Sequence, residues 1–593
     1  MAIQGKNAFM LASTLPVLAT VLTAGSPVQG LSARYLDGLF HARPHLATYM
    51  GLHKEDGRLM DLDPPAIQQR TRELNVLAAE VKKLDPATLS TDDRADARIL
   101  ADGIALELLD LEEIREWTWD ARLEDSFPFY DPREYVASRL GELIHGTFAS
   151  EAQRAKWVTS ELAALPHHLE MKQASLITPE RVRLEQAVKD NAGRIIFFDT
   201  ELKAFTAKHP DAEKARVAAV QALEKYQRFL TAFPPEKATH DWRLGKELYD
   251  RKFPLALQTD LTPEQLRKAA EEAFAAERTK LYAIARGLFT ELWPKEAAPA
   301  EKPDAPAQAQ VIRRVLDELS KNHPTANRFV QAHADKLASL RTFIAEKKLL
   351  KLPPADTLRV LPEPEYKRGA VGAEYLSPGM LDSSTAWHGT FYVDPVDPSW
   401  PPDKVESYLR ANDWYAITMT SAHEAYPGHH TQAWYARQHP NALRSTLWSG
   451  AFAEGWAVYG ERLLIKQGLG GKENARYALR EAWSGMIVAS NAILDIRLQR
   501  GEMTDEEALR LMEDEGFQEK ALAERKLHRA KLDSTQLCQY FLGLNELEAL
   551  ERDVRAKGKF DQRAFDEQLL NHGTVPVKIL RAFFGVDRAP SAH

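Results

Sequence analysis

Three histidines and a glutamate lie close together in residues 421–432, which read SAHEAYPGHHTQ. Imidazole nitrogens bind Zn²⁺ at about 2.0–2.1 Å, so two ligand side chains must converge on one point. Glu424, directly after His423, could then act as the general base on the water that zinc binds. The segment therefore predicts a zinc-dependent hydrolase that acts on an amide or peptide carbonyl.

The spacing of the histidines does not fit a straight helix. His429 is six residues after His423, which puts the two on different helix faces at about 100° per residue. His430 returns to the face of His423, but about 10.5 Å further along the axis. Pro427 and Gly428 allow a kink or bulge that would bring His429 back towards His423. This reasoning leaves open whether His429 or His430 is the second ligand. It also leaves open a simple helix end, in which the histidines lie on a turn and bind no metal.

A third ligand candidate lies in residues 451–461, AFAEGWAVYGE. Apolar residues repeat there at helical spacing, and Glu454 is the only charged residue from 451 to 460. A carboxylate is costly to bury unless it is paired or binds a metal; a solvent-facing or arginine-paired glutamate is the alternative. Two histidines and one glutamate with an open fourth position are typical of catalytic zinc. Fe²⁺ also accepts such a set, and the neighbouring Glu424 favours zinc.

These elements, HEAYPGHH and FAEGWAVYGERL, resemble a large bacterial family of unknown function whose members carry an HExxPGHxxQ motif. That family is similar to the gluzincins, zinc peptidases that combine HExxH with a distant glutamate. The resemblance covers nearly all of the chain after residue 30. It implies His423, His429 and Glu454 as metal ligands and Glu424 as the base. His430 is then a group that supports the metal ligands from behind or a substrate-side group, and a surface residue is the alternative.

An oxyanion stabiliser would complete such a site. Tyr540 is the first choice among four side chains on predicted downstream helices, the others being His528, Arg525 and Arg497. A phenol can donate to a developing oxyanion, and Gly543 leaves room one turn on; a tyrosine packed in the core is the alternative.

Two more side chains are candidates for substrate binding. Arg497 could bind a substrate carboxylate or pair with a nearby acid. Tyr392, with Phe391, lies on the candidate strand 389–393. By analogy with zinc peptidases in which an edge strand pairs with extended substrate, both could line the cleft, and core packing is the simpler interpretation.

The elements that must position these residues are mainly helical. Residues 66–84, 151–164 and 211–232 mix apolar and charged residues at helical spacing. Thr262 and Pro263 begin a helix that we expect to run to about residue 286. A proline- and glycine-rich break at 352–402 holds the strand candidates 357–361 and 389–393. We expect a mainly α, two-lobed, metallopeptidase-like fold with a small β element before the motif helix.

The predicted organisation has four parts. Residues 1–30 resemble an export signal, because residues 7–33 carry no charge and follow Lys6. Residues 31–293 form a helical N-terminal lobe, and the proline-rich residues 294–308 form a linker. Residues 309–593 form the catalytic lobe with the β element and metal site. Export, to the periplasm, follows from the first segment; if it is instead an apolar first helix, the protein is cytoplasmic.

Composition narrows the function classes. The net charge of −8 over 593 residues argues against a dedicated nucleic-acid binder. The single cysteine excludes a thiolate-rich zinc module. No segment reaches the roughly 20 apolar residues of a membrane span.

Three functions remain. A zinc peptidase acting on short peptides leads, and its alternatives are a zinc amidase acting on small or acylated amino-acid amides and a non-catalytic binding protein. The presence of Glu424 beside the candidate ligands argues against the last. The sequence does not indicate the oligomeric state.

Overall fold

The computed structural model describes residues 26–127, 133–363, 372–382, 387–439 and 441–586, and within them the fold is mainly α, as predicted. The helices are α1 (Pro27–Ala42), α2 (Pro44–Tyr49), α3 (Pro64–Val81), α4 (Thr91–Leu109), α5 (Ala137–His145), α6 (Glu151–Ser175), α7 (Arg181–Asp199), α8 (Glu201–Thr206), α9 (Pro210–Ala232), α10 (Gly245–Ala256), α11 (Pro263–Leu292), α12 (Ala305–Ser320), α13 (Phe329–Lys347), α14 (Pro402–Ala411), α15 (Trp414–Glu424), α16 (His429–Arg437), α17 (Ala442–Thr446), α18 (Gly450–Lys466), α19 (Asn474–Gln499), α20 (Asp505–Arg510), α21 (Lys520–Leu532), α22 (Cys538–Arg555), α23 (Gln562–Asn571) and α24 (Val577–Phe583). The strands are β1 (Glu124–Asp125), β2 (Arg133–Glu134), β3 (Leu358–Pro362), β4 (Ala373–Leu376) and β5 (Gly389–Val393).

Helix α11 begins where the sequence predicts and ends later. The Thr262 side chain caps the backbone amide of Gln265, whose side chain in turn accepts from the amide of Thr262. The helix continues through Gly287 to Leu292, and Leu288 is almost fully buried. Burial of that face outweighs the cost of about 1 kcal/mol that a glycine brings to a helix interior.

Two large hydrophobic cores form in the described residues, beside a third cluster of only Leu109, Ile114 and Trp119. The larger contains residues from Leu31 to Leu580, and the smaller lies within 121–230. Helices α11 and α12 both pack into the larger core. The loop between them is tied to α11, since the Arg286 guanidinium donates to the carbonyl of Pro299 at 2.9 Å. Of the predicted linker 294–308, residues 294–304 therefore join two helices of one core, and residues 305–308 belong to α12.

The small sheet has the strand order β3-β5-β4, with β5 parallel to β3 and antiparallel to β4. Both predicted strands are present, and residues 389–393 match β5. The expectation that β5 is the edge strand beside the cleft is wrong, because β5 is central. Strand β4 forms that edge; it is only four residues long and lacks the run of β-branched residues that marks a strand in sequence.

The described fold begins at the end of the predicted export segment. Ser26 caps α1, and Val28 is fully buried, so the last residues of the 1–30 segment belong to the helical fold. Residues 1–25 lie outside the described part. In the described residues, no helix is both long and apolar enough to cross a membrane.

Candidate metal centre

The helix that carries His423 is interrupted where Pro427 and Gly428 predict. Helix α15 ends at Glu424 and α16 begins at His429. The Gly428 amide donates to the carbonyl of Ala422 at 3.0 Å. A Cβ atom on Gly428 would lie 1.7 Å from the carbonyl oxygen of His423, so only glycine fits this turn. The tight turn brings the start of α16 back to the end of α15.

As a result, His423, His429 and Glu454 form a histidine–glutamate triad whose candidate ligand atoms all lie within 4.8 Å of one another. Glu454 Oε2 is 3.3 Å from His423 Nε2 and 3.6 Å from His429 Nε2. Four ligands held tetrahedrally at about 2.0–2.1 Å from zinc are about 3.3 Å apart. The residues present therefore fit a zinc ion. Of the two histidines that the spacing left open, the structure brings His429 to Glu454.

Helix α18 is fixed to the Pro-Gly turn by the residues that follow Glu454. The Trp456 indole donates to the carbonyl of Pro427 at 2.9 Å. A Cβ atom on Gly455 would lie 2.3 Å from the backbone of Gly543, so a pair of glycines lets α18 and α22 touch. The EGW element thus supplies a carboxylate, a close helix crossing and an anchor for the turn.

Glu461 is part of the site and was missed by the sequence analysis. Its Oε1 atom is 2.8 Å from Nδ1 of His423, and the residue is only 5% exposed to solvent. A carboxylate on Nδ1 selects the tautomer that leaves Nε2 free as a ligand, a common arrangement at metal-binding histidines. The signal was available: Glu461 lies seven residues, or two helical turns, after Glu454.

Charges in the triad stabilise one another. Burial pushes the pKa of the Glu454 carboxyl up, but His429 and His423 outweigh it and hold that pKa below its usual range. Burial alone would lower the pKa of His423, whereas Glu454 and Glu461 raise it well above the ordinary histidine value. Glu454 is therefore ionised at neutral pH, the form in which a carboxylate binds a cation.

Glu424 is half-buried beside the triad. Its Oε2 atom accepts a hydrogen bond from the backbone amide of Tyr375 on β4 at 2.9 Å. Burial raises the pKa of its carboxyl, and the nearby His429 and His423 oppose that rise. The carboxylate is held in one orientation by a strand that is remote in sequence, as a proton-transfer group requires.

His430 points away from the triad. It is fully buried, with Nε2 3.1 Å from the Thr357 hydroxyl and Nδ1 3.2 Å from the Tyr375 hydroxyl. Its ring stacks on Trp387 at 5.5 Å. Burial, helped by Arg341, lowers the pKa of His430 to about 3. The surface interpretation of His430 is wrong, and its observed contacts link α16 to β4 instead of reaching the cleft.

Tyr540 lies next to the triad. Its ring centre is 6.5 Å from that of His423, with the ring planes 24° apart. The hydroxyl accepts a 3.5 Å contact from Nη2 of Arg529. Burial, then the charge of Glu454, raises the pKa of the phenol, which stays protonated and able to donate.

The other sequence candidates have contacts elsewhere. Arg497 donates to the carbonyl of Glu502 at 3.0 Å, just beyond its own helix. His528 contacts the side-chain oxygen of Gln186 at 3.0 Å. Phe391 is fully buried and packs against the ring of His333, so the core-packing interpretation holds for it. Tyr392 is half-buried on the opposite face of β5, paired in register with Glu374.

A cavity of about 270 Å³ opens beside the triad, between α15 and α19. His423 and Glu424 line one end of it, and Met419, Trp483 and Ile487 line its apolar wall. Of the triad only His423 lines this cavity, so the cavity adjoins the centre on the side of His423 and Glu424.

Comparison with known proteins places the chain in a family. The family described as "Bacterial protein of unknown function (DUF885)" matches residues 44–583. No curated protein matches the chain. A solved structure from Shewanella oneidensis, titled a "putative lipoprotein of unknown function", is 27% identical with a TM-score of 0.78, over 94% of this chain and 100% of that one. A "putative lipoprotein" from Colwellia psychrerythraea, 17% identical, shares the fold with a TM-score of 0.70, over 94% and 99% of the two chains. The predicted membership of a bacterial family of unknown function is confirmed, the likeness to zinc peptidases stays a prediction, and the chain belongs to the bacterial DUF885 family.

Proposed function

We propose that this protein is a zinc-dependent hydrolase that cleaves peptide bonds of short peptides. One observation carries the proposal: two imidazole Nε2 atoms converge on one carboxylate oxygen of Glu454, at 3.3 and 3.6 Å, with Glu424 beside them. The likeness to gluzincin peptidases, read from the motifs, supports the same conclusion.

His423, His429 and Glu454 would hold the metal, and Glu461 would orient His423. A zinc ion bound there supplies a Lewis acid that polarises a carbonyl and lowers the pKa of water. An open fourth position is what separates a catalytic zinc site from a structural one.

The remaining chemistry belongs to side chains of this protein. Glu424 accepts the proton of the attacking water and returns it to the leaving nitrogen, while the Tyr375 amide keeps its carboxylate in place. The Tyr540 phenol donates to the oxyanion that develops on the substrate carbonyl. The edge strand β4 lies beside Glu424 and can pair with an extended substrate backbone.

Export to the periplasm is part of this proposal. It is supported by the lipoprotein names of two proteins that share the fold, and by the uncharged residues 7–33. The site would then act on peptides outside the cytoplasm.

The test compares wild type with Glu424→Gln, both loaded with zinc, on short peptides and on acylated amino-acid amides. General-base loss predicts a rate fall of about 10²–10⁴-fold with zinc content unchanged by elemental analysis. Glu406→Gln, an exposed carboxylate on α14, is the control and should behave as wild type. Full activity in Glu424→Gln would overturn the proposal, and cleavage of the amides alone would move it to the amidase alternative.

A further inference from the structure

A cavity of about 200 Å³ lies among α1, α3, α6 and the turn that follows α4, in the N-terminal part of the chain. Two side chains of opposite charge line it, Lys172 of α6 and Asp110 of that turn, and we call it the Lys172–Asp110 cavity. It shares no lining residue with the cavity beside the triad. It is therefore a place separate from the candidate metal centre.

Lys172 is buried without an acceptor for its ammonium group. The residue is only 4% exposed to solvent. Within the part of the chain that the structure describes, no oxygen atom accepts a hydrogen bond from Nζ, and no carboxylate is close enough to form an ion pair with it. Burial lowers the pKa of Lys172, and the charges of Asp120 and Glu116 oppose that fall. A buried donor without an acceptor is costly, so an acceptor that enters the cavity would stabilise it.

Asp110 is the opposite case, a carboxylate without a donor. Its Oδ2 atom is 3.9 Å from Nη2 of Arg43, which is too far for a hydrogen bond. Among the described residues, no N–H or O–H group donates to either oxygen of its side chain. Burial and the neighbouring Glu116 raise the pKa of Asp110 to about 7, against the effect of Arg43. A cationic donor would stabilise the ionised form of this carboxylate.

Other charged side chains in the same wall have close partners. Arg43 and Arg70 donate to Glu107 at 2.7 and 2.8 Å. Asp120 accepts from Arg122 at 2.7 Å. Lys172 and Asp110 differ from these neighbours, and in the described structure they do not form an ion pair with each other. The cavity therefore presents one free cation and one free anion to a molecule inside it.

An apolar groove continues from the cavity. Its volume is about 650 Å³, and it shares Leu62, Ile67 and Leu111 with the cavity wall. A ligand whose charged groups lie at Lys172 and Asp110 can place an apolar side chain against these shared residues. Removal of that side chain from water would add to the affinity.

We propose that the Lys172–Asp110 cavity binds a free α-amino acid with an apolar side chain. The carboxylate of the amino acid accepts from the ammonium of Lys172, and its own ammonium donates to the carboxylate of Asp110. A protein cavity of about 150 Å³ holds benzene, so one of about 200 Å³ has room for valine or leucine. This inference does not rest on the proposed function, and its failure would leave the proposed hydrolase unaffected.

The experiment is calorimetry of the full-length, zinc-loaded protein with leucine, N-acetyl-leucine, leucine amide and glycine. Acetylation removes the ammonium and amidation removes the carboxylate. Each should therefore bind about 10- to 100-fold more weakly than leucine, the range for a hydrogen bond to a charged group. Glycine keeps both charged groups and lacks the apolar side chain, and its affinity should fall by a similar factor of about 10 to 100.

Two variants assign the binding to the cavity. Lys172→Met should weaken leucine binding by about 10- to 100-fold and leave leucine amide unchanged, because the amide has no carboxylate to lose. Asp110→Asn should weaken leucine binding in the same way and leave N-acetyl-leucine unchanged. Lys156→Met removes an exposed lysine of α6 and is the control, which should bind leucine as wild type does. Asp110→Asn keeps the shape of its side chain and carries the test if urea denaturation shows that Lys172→Met does not fold.

The triad is a competing site, because an amino acid can also bind a zinc ion. Glu454→Gln should therefore keep the leucine affinity of wild type. Leucine binding that is lost in Glu454→Gln and unchanged in Lys172→Met and Asp110→Asn would overturn the inference. Absence of leucine binding to wild type would also overturn it.

Discussion

Two of the buried groups of charged side chains in the described residues differ in how their atoms are spaced, and the difference shows which arrangement suits a metal ion. The first, the N-terminal charge cluster, consists of Arg43, Arg70, Glu107 and Asp125. The second is the triad of His423, His429 and Glu454. Both hold a carboxylate with very little exposure to solvent.

The two groups differ in the distances between their carboxylate oxygens and the neighbouring nitrogen atoms. Glu107 accepts from Arg43 at 2.7 Å and from Arg70 at 2.8 and 2.9 Å, which are ordinary hydrogen bonds. Glu454 is 3.3 Å from Nε2 of His423, a long hydrogen bond, and 3.6 Å from Nε2 of His429, and both distances suit ligands that share one ion. A buried charge alone therefore does not mark a site; two imidazoles and a carboxylate that converge at ligand spacing are a stronger indication.

Breaking the triad should have the largest effect. Glu454→Gln removes the anionic ligand, and we expect zinc affinity to fall by more than about 100-fold, beyond what loss of a supporting residue costs. Elemental analysis of the purified variant beside wild type measures this. Zinc retained at one equivalent would show that the three groups do not form the metal site.

Breaking the N-terminal charge cluster should affect stability and not chemistry. Glu107→Gln leaves two buried guanidinium groups without their shared anion, and we expect a loss of about 3–5 kcal/mol in the free energy of unfolding. Urea denaturation measures it. Zinc content of the folded protein should stay that of wild type, and the exposed pair of Glu113 with Arg251 provides the control, since Glu113→Gln should change stability little.

Tyr540→Phe tests the side of the triad that faces the substrate. Loss of one oxyanion donor should lower kcat by about 10²–10³-fold without changing zinc content or unfolding. Steady-state kinetics on a cleaved peptide give the value. A kcat equal to that of wild type would assign Tyr540 to packing alone.

Glu461→Gln should have the smallest effect, because it changes only the carboxylate that contacts Nδ1 of His423 and none of the proposed metal ligands. Zinc affinity should fall by about 10–100-fold, as for other residues that orient a ligand histidine. Competition with a chelator of known affinity measures the change. An unchanged zinc affinity would mean that Glu461 balances nearby positive charge and does not orient His423 for metal binding.

Local elements of the fold were predictable, and long-range pairings were not. Residues 151–164 and 211–232 lie in α6 and α9 because helical periodicity is a local property. Strand β4 and the central position of β5 escaped prediction, since strand order depends on partners distant in the chain.

By itself the sequence determined the donor atoms and the break between them. His423, Glu424 and Glu454 are identifiable because residue type sets which atoms can bind a metal or move a proton, and Pro427 followed by Gly428 favours a helix break. The tertiary structure alone decided that Glu461 contacts His423 and that Arg529 lies beside Tyr540, and it brings His429, which the family resemblance implied, to Glu454. Those outcomes depend on how α15, α16, α18, α21 and α22 pack, and packing is set by contacts among side chains that no local pattern records.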